Sequence, residues 1–166
     1  MTHSTMEKTM IAQGQTLPAS SLSQLTDEGM ANHQVTELFA DKKVVLFAVP
    51  GAFTPTCSNA HLPGYVVLAD QLKAKGVDII ACVSVNDAFV MKAWGDAQNA
   101  DEIMMLGDGD ASFTKSLGLE MDTAGFGGVR SQRYAMVIDN GVVTQLNVEA
   151  PKAFEVSKAE AILASL

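Results

Sequence analysis

The sequence of 166 residues holds only two cysteines, Cys57 and Cys82, one tryptophan and five prolines. Two cysteines do not make a disulfide framework; in a chain of this size they are either buried filler or reactive groups. Basic residues are scarce as well, with 11 Lys and Arg against 19 Asp and Glu, a net charge of −8. That balance excludes a phosphate-backbone partner, so no nucleic acid is expected, and it gives no pull toward an anionic membrane. No apolar run approaches the ~20 residues that span a bilayer. The start, Met1 through Thr9, lacks the apolar and cleavage regions of a secretory signal and the arginines of a transit peptide, so the expected location is cytoplasmic, a reducing compartment. Repeats, linkers and low-complexity runs are absent too. What is present is a 48% hydrophobic fraction with 18% charged residues, enough to bury one core. The length then predicts a single domain over 1–166.

Hydrophobic patterning gives an alternating order. Residues 13–34, rich in Gln, Ser, Thr and Gly, read as short strands or loops at an edge. Lys43–Pro50 is a continuous β-rich run, predicting a strand buried on both faces. Thr54 as N-cap and Pro55 at the first helical position open a helix toward Gly76, with Pro63 and Gly64 expected to kink it. Val77–Val85 reads as a second buried strand. Asn86 or Asp87 caps a helix predicted to turn Phe89, Val90, Ala93 and Trp94 to the core. Ile103–Leu106 is a short strand, and Asp110 precedes a helical turn carrying Phe113 and Leu117, closed by Gly118. Tyr134–Ile138 and Val142–Val148 flank Asn140-Gly141, a hairpin signal. A last helix is predicted over roughly 155–166, presenting Val156, Ile162, Leu163 and Leu166.

Strands separated by helices run parallel, and hairpin strands run antiparallel. The expected fold class is therefore α/β, a thioredoxin-like mixed sheet with helices on both faces. An all-parallel flavodoxin-like sheet is the alternative, and Asn140-Gly141 counts against it.

Pro50-Gly51-Ala52-Phe53-Thr54-Pro55-Thr56-Cys57 follows a central strand and opens a helix, at the end of an open α/β sheet where catalytic groups gather. A cysteine in the first helical turn faces free backbone N–H groups and the positive end of the helix dipole, which favour thiolate over thiol. The bland alternative for Cys57 is a small buried hydrophobe. Thr54 has its alternative as an N-cap, Pro50 as a strand end, and Arg130 and Arg133 as ordinary surface residues between which the sequence alone does not choose. His61, four residues after Cys57, shares its helix face. A Cys-x-x-x-His pair is half a metal site at most, with His3 and His33 in polar segments, so neither a metal nor a cofactor is expected. Met91, Met104 and Met105 fit core filling.

Pro50…Thr54…Cys57 has the P-x-x-x-T-x-x-C pattern of the peroxiredoxins. PGAFTPTCSNAHLPGY, with the blocks Asp78–Gly95 and Val129–Gly141, resembles the peroxiredoxin 5 (type II) subfamily of the AhpC/TSA thiol peroxidases from Gln13 to the carboxyl terminus. The resemblance implies reduction of hydrogen peroxide and alkyl hydroperoxides. It makes Cys57 the peroxidatic cysteine that becomes a sulfenic acid, and Thr54 the donor holding thiolate and peroxide in line. Pro50 becomes a shield, Arg130 the active-site cation, and Arg133 a supporting or interface residue. It also implies a homodimer.

Some members of that family carry a late resolving cysteine, which this sequence lacks after Cys82. Cys82, 25 residues beyond Cys57, is either a resolving cysteine or inert filler in a buried strand. An internal bridge makes thioredoxin the reductant; otherwise glutathione, alone or with glutaredoxin, serves. Two further classes are weighed. One is a redox-sensing, partner-binding thioredoxin-like protein switched by oxidation of Cys57. The other is a disulfide oxidoreductase, weakened by the absence of Cys-x-x-Cys.

Overall fold

The computed structural model describes residues 9–166; His3 lies outside them. A seven-stranded sheet forms the centre. Its strands are β1 (Ser21–Thr26), β2 (Gly29–Gln34), β3 (Lys43–Ala48), β4 (Ile79–Ser84), β5 (Met104–Gly107), β8 (Tyr134–Asp139) and β9 (Val142–Val148), in the order β2-β1-β5-β4-β3-β8-β9. The pairs β3/β4 and β4/β5 are parallel, and β3/β8, β8/β9, β1/β2 and β1/β5 are antiparallel. The sheet is mixed, as the element order predicts, and 13–34 does supply an edge hairpin. A separate two-stranded arm, β6 (Glu120–Asp122) with β7 (Val129–Ser131), was not legible in the sequence.

Strand β3 explains the layering. Side chains alternate across a strand, so Val45, Phe47 and Val49 enter one core with Cys57, Tyr65, Cys82 and Trp94. Val44, Leu46 and Ala48 enter the other with Phe39, Leu106, Phe113 and Tyr134. A run apolar at every position is what burial between two layers requires. The Asn140-Gly141 turn closes β8 on β9 with both residues at positive φ, 49° and 82°, the primed-turn geometry that matches strand twist.

The helix after β3 is the element that carries the chemistry. It opens at Pro55 and runs as a π-helical turn over Cys57–His61 into α2 (Leu62–Ala74), after the short α1 (Val35–Leu38). Pro63 has no N–H to return to residue 59. The Leu62 N–H instead reaches the Cys57 carbonyl five residues back, so the strain expected as a kink appears as a π turn.

Two helix expectations need correction. In α3 (Ala88–Ala97) the buried face is Ala88, Met91, Trp94 and Gly95, whereas Phe89 is 62% exposed and Ala93 is exposed too. Asp87, one of the two predicted caps, accepts from the Val90 N–H at 2.8 Å, but the face turned inward is set by packing on the sheet, where Gly95 lies against Met105 of β5. The last helix, α5, covers only Ala159–Ser165, and Val156 is exposed. Glu149 holds the preceding segment out of helix by accepting from the N–H groups of Glu155 and Ser157 and from the Ser157 hydroxyl. The remaining helix, α4 (Ser112–Ser116), starts on Asp108, which accepts from the Phe113 and Thr114 N–H groups; Asp110 reaches only Ser112.

Candidate active site

The loop from Pro50 to Thr54 joins the carboxyl end of β3 to the π turn. Phe53 sits at φ 65°, a strained value for a bulky residue, and such strain gathers at functional sites. Asn86 fixes this loop: its Oδ1 accepts from the Ala52 N–H at 3.1 Å and from the Ser84 hydroxyl at 2.7 Å. The sequence reading gave Asn86 no role beyond a possible helix cap.

Cys57 Sγ is fully buried. The Thr54 hydroxyl lies 2.9 Å from it and 2.7 Å from the Gly51 carbonyl. A hydroxyl has one proton and here two acceptors, so the proton is free to turn to the sulfur whenever the sulfur carries charge. Arg133 Nη2 donates to Cys57 Sγ at 3.1 Å, and Nη1 donates to His61 Nδ1 at 2.8 Å. The Phe154 ring lies 5.8 Å from the guanidinium carbon. Arg133 also lines a cavity of about 490 Å³ whose wall includes Pro50 and Thr56.

The cation at the sulfur is therefore Arg133, and the placement of Arg130 there is corrected. Arg130 lies on β7 opposite Met121, donating Nε to the Gly127 carbonyl at 3.0 Å and Nη1 to the Val85 carbonyl at 2.7 Å. It ties the β6–β7 arm to the end of β4. Arg133 directly precedes β8, whose Tyr134 pairs with Ala48 at the end of β3, so the chain delivers it to the mouth of the loop that ends in Cys57. Register across the sheet decides between the two arginines, and three residues of sequence separation carry no such information.

His61 is fully buried, with both ring nitrogens engaged: Nδ1 by Arg133 and Nε2 by the Ser157 carbonyl at 3.1 Å. Burial, with the Arg133 charge adding to it, lowers its pKa from 6.5 to about 3, so the ring is neutral under ordinary conditions. Neither nitrogen is free for a metal, and among the described residues no three metal-ligating side chains gather.

Cys82 is fully buried on β4, paired in register with Phe47. Its thiol is pushed well above the ordinary range, first by burial and then by the charge of Cys57, with Arg133 opposing. It is a thiol, not a nucleophile, in this state, and both cysteines are free.

A buried sulfur held between a hydroxyl and a guanidinium, at the start of a helix over a mixed sheet, has known counterparts. The Redoxin family profile matches residues 12–163. The chain belongs to the Redoxin family, as a peroxiredoxin of the type II (peroxiredoxin 5) kind. It is 51% identical to Peroxiredoxin-2E-2, chloroplastic, of Oryza sativa subsp. japonica, over 94% of this chain and 72% of that one. With Peroxiredoxin-2C of the same organism it shares 50% identity over 94% of this chain and 98% of the relative. Among solved structures, reduced Prx3 of Vibrio vulnificus in complex with hydrogen peroxide is 83% identical with a TM-score of 0.93, covering 94% of this chain and 99% of that chain. Peroxiredoxin 5 of Alvinella pompejana is 35% identical with a TM-score of 0.83, covering 93% and 97%. As a peroxiredoxin the protein is an enzyme, a thiol-dependent peroxidase.

Proposed function

We propose that Cys57 is the sulfur that peroxide oxidises, with Thr54 and Arg133 as the groups that touch the reacting atoms. The carrying observation is the position of Cys57 Sγ between Thr54 Oγ1 at 2.9 Å and Arg133 Nη2 at 3.1 Å. The thiolate attacks one peroxide oxygen and the O–O bond breaks. Sulfur becomes a sulfenic acid, and the second oxygen leaves as water or an alcohol after taking a proton. The Arg133 guanidinium stabilises charge on the thiolate and then on the departing oxygen. Pro50, half-buried at the cavity wall, keeps bulk water from the sulfenic acid.

Resolution follows by an external thiol. Glutathione, alone or with glutaredoxin, condenses with the sulfenic acid to a mixed disulfide and water, and a second thiol releases Cys57 and glutathione disulfide. The depth of Cys82 in β4 favours this route over an internal bridge reduced by thioredoxin, because the bridge requires the first helical turn to open. Two free cysteines suit a reducing, cytoplasmic setting. A homodimer is also proposed. Phe53, in the loop before Cys57, and Phe126, in the turn between β6 and β7, are 56% and 71% exposed, and a second copy of the chain would cover them. Sedimentation of the purified protein decides that point.

The deciding experiment is peroxide consumption by Cys57→Ser and Cys82→Ser with glutathione and glutaredoxin. Loss in the first and turnover in the second are expected. Turnover by Cys57→Ser would refute the assignment, and dependence on Cys82 with thioredoxin alone would restore it as a resolving cysteine.

A further inference from the structure

We infer that His61 is a positioning residue for the peroxidase reaction, acting through Arg133 by offering an unprotonated Nδ1 that fixes the guanidinium against Cys57. The inference rests on Cys57 being the oxidised sulfur, and goes beyond it in assigning a task to a side chain that never touches peroxide.

A guanidinium is a planar fork with five N–H donors and no acceptor. One edge of the Arg133 fork splits between two acceptors, Nη2 to sulfur and Nη1 to the imidazole. A plane fixed at two points cannot swing, so the second anchor sets the direction in which the first donor aims. Without it the long arginine side chain, beside a cavity of about 490 Å³, regains rotamers that turn Nη2 from the sulfur.

Only one imidazole tautomer suits this task. Arg133 can only donate, so Nδ1 must be the bare nitrogen and the proton must sit on Nε2, which then donates to the Ser157 carbonyl at 3.1 Å. The fold enforces this arrangement from several sides. Ser157 is pinned by Glu149 Oε2 through its N–H at 2.8 Å and its hydroxyl at 2.7 Å, and its carbonyl also receives the Tyr65 hydroxyl at 2.8 Å. The ring itself is clamped by Phe47, Tyr65 and Phe154, with centroids 4.9, 5.7 and 5.1 Å away. Burial keeps the imidazole neutral; a protonated ring would turn Nδ1 into a donor facing a donor.

The test compares second-order rates of peroxide reaction in wild type, His61→Phe, His61→Asn, Arg133→Met and the double variant His61→Phe/Arg133→Met. Phe fills the ring slot but offers no acceptor; Asn places an acceptor oxygen where Nδ1 stands. We expect His61→Phe to lose on the order of tenfold to a hundredfold, the range that an ångström-scale misplacement costs. His61→Asn should recover most of the rate. The double variant should be no slower than Arg133→Met, because a residue that acts through Arg133 has nothing left to do once it is gone. A normal rate in His61→Phe, or multiplied losses in the double variant, would overturn the inference. Should His61→Phe fail to fold, nitrogen NMR of histidine-labelled wild type still decides: a bare Nδ1 at neutral pH supports the inference and a protonated Nδ1 refutes it. Turnover by Cys57→Ser would instead sink the underlying assignment, a result distinct from all of these.

Discussion

Replacing each arginine in turn separates the cation at the sulfur from the cation that ties the arm. Arg133→Met removes a donor 3.1 Å from a sulfur with no solvent exposure, so no water takes its place. Two unit charges about 4 Å apart at an effective dielectric near 20 attract by about 4 kcal/mol. Removing one preorganised donor from a site of developing negative charge typically costs about 2.7–4 kcal/mol, or roughly 10²–10³ in rate. The peroxide reaction of Arg133→Met, followed by stopped-flow tryptophan fluorescence or by competition for peroxide, should slow by that factor. Trp94 is a suitable reporter, since its Nε1 donates to the hydroxyl of Ser58, the neighbour of Cys57, at 3.0 Å. Arg130→Met should leave the rate near wild type. It gives up two charge-assisted bonds to the Gly127 and Val85 carbonyls, which should lower stability by about 1–3 kcal/mol. For a chain of this size that is a fall in Tm of roughly 2–4 °C per kcal/mol. A normal rate in Arg133→Met with a crippled Arg130→Met would refute the assignment.

Three other outcomes follow from the same contacts. Thr54→Val removes the hydroxyl that reaches Cys57 Sγ and should slow peroxide reaction by about 10–10²-fold, whereas Thr54→Ser should restore it; equal losses in both would refute the hydroxyl's role. Burial pushes the Glu149 carboxyl up, but the hydrogen bonds from Ser157, Glu155 and Val156 outweigh it and hold its pKa below the ordinary 4.5. A lowered folded value means stability that is present above the unfolded pKa and lost as pH falls through the folded one. Wild type should therefore lose Tm below about pH 4.5 more steeply than Glu149→Gln, and parallel Tm–pH curves would count against the clasp. Gly107→Ala would place a methyl 2.8 Å from the Asn86 carbonyl and 2.9 Å from the Ala88 nitrogen, both backbone atoms. A loss of about 1–3 kcal/mol by denaturant unfolding is expected, together with reduced activity because Asn86 holds the loop before Thr54.

The order of the main sheet strands and helices from β3 onward (α1 and the β6–β7 arm aside), the two-faced burial of β3, the Asn140-Gly141 hairpin and the placement of Cys57 at a helix start were legible in the sequence. Each rests on a local rule: alternation, capping, turn chemistry. The resemblance carried by Pro50, Thr54 and Cys57 supplied the chemistry. The inward face of α3 was missed because packing on the sheet sets it, with Gly95 against Met105 of β5, and the apolar pattern alone does not separate Phe89 and Ala93 from the residues that are buried. The segment after Glu149 was missed because one carboxylate collects donors from residues six and eight positions away. Which arginine faces the sulfur was beyond any local rule. Arg130 and Arg133 differ only in what lies across from them: β6 for the first, the end of β3 for the second. His61 shows the same division. Its distance of four residues from Cys57 was plain, but its partners, Arg133 and Ser157, lie 72 and 96 residues away. The sequence by itself determined that Cys57 sits at a helix start, because a helix start is a local environment. Tertiary structure alone decided which guanidinium meets that sulfur and which imidazole that guanidinium also reaches, because hydrogen bonds between distant segments exist only once the sheet is in register.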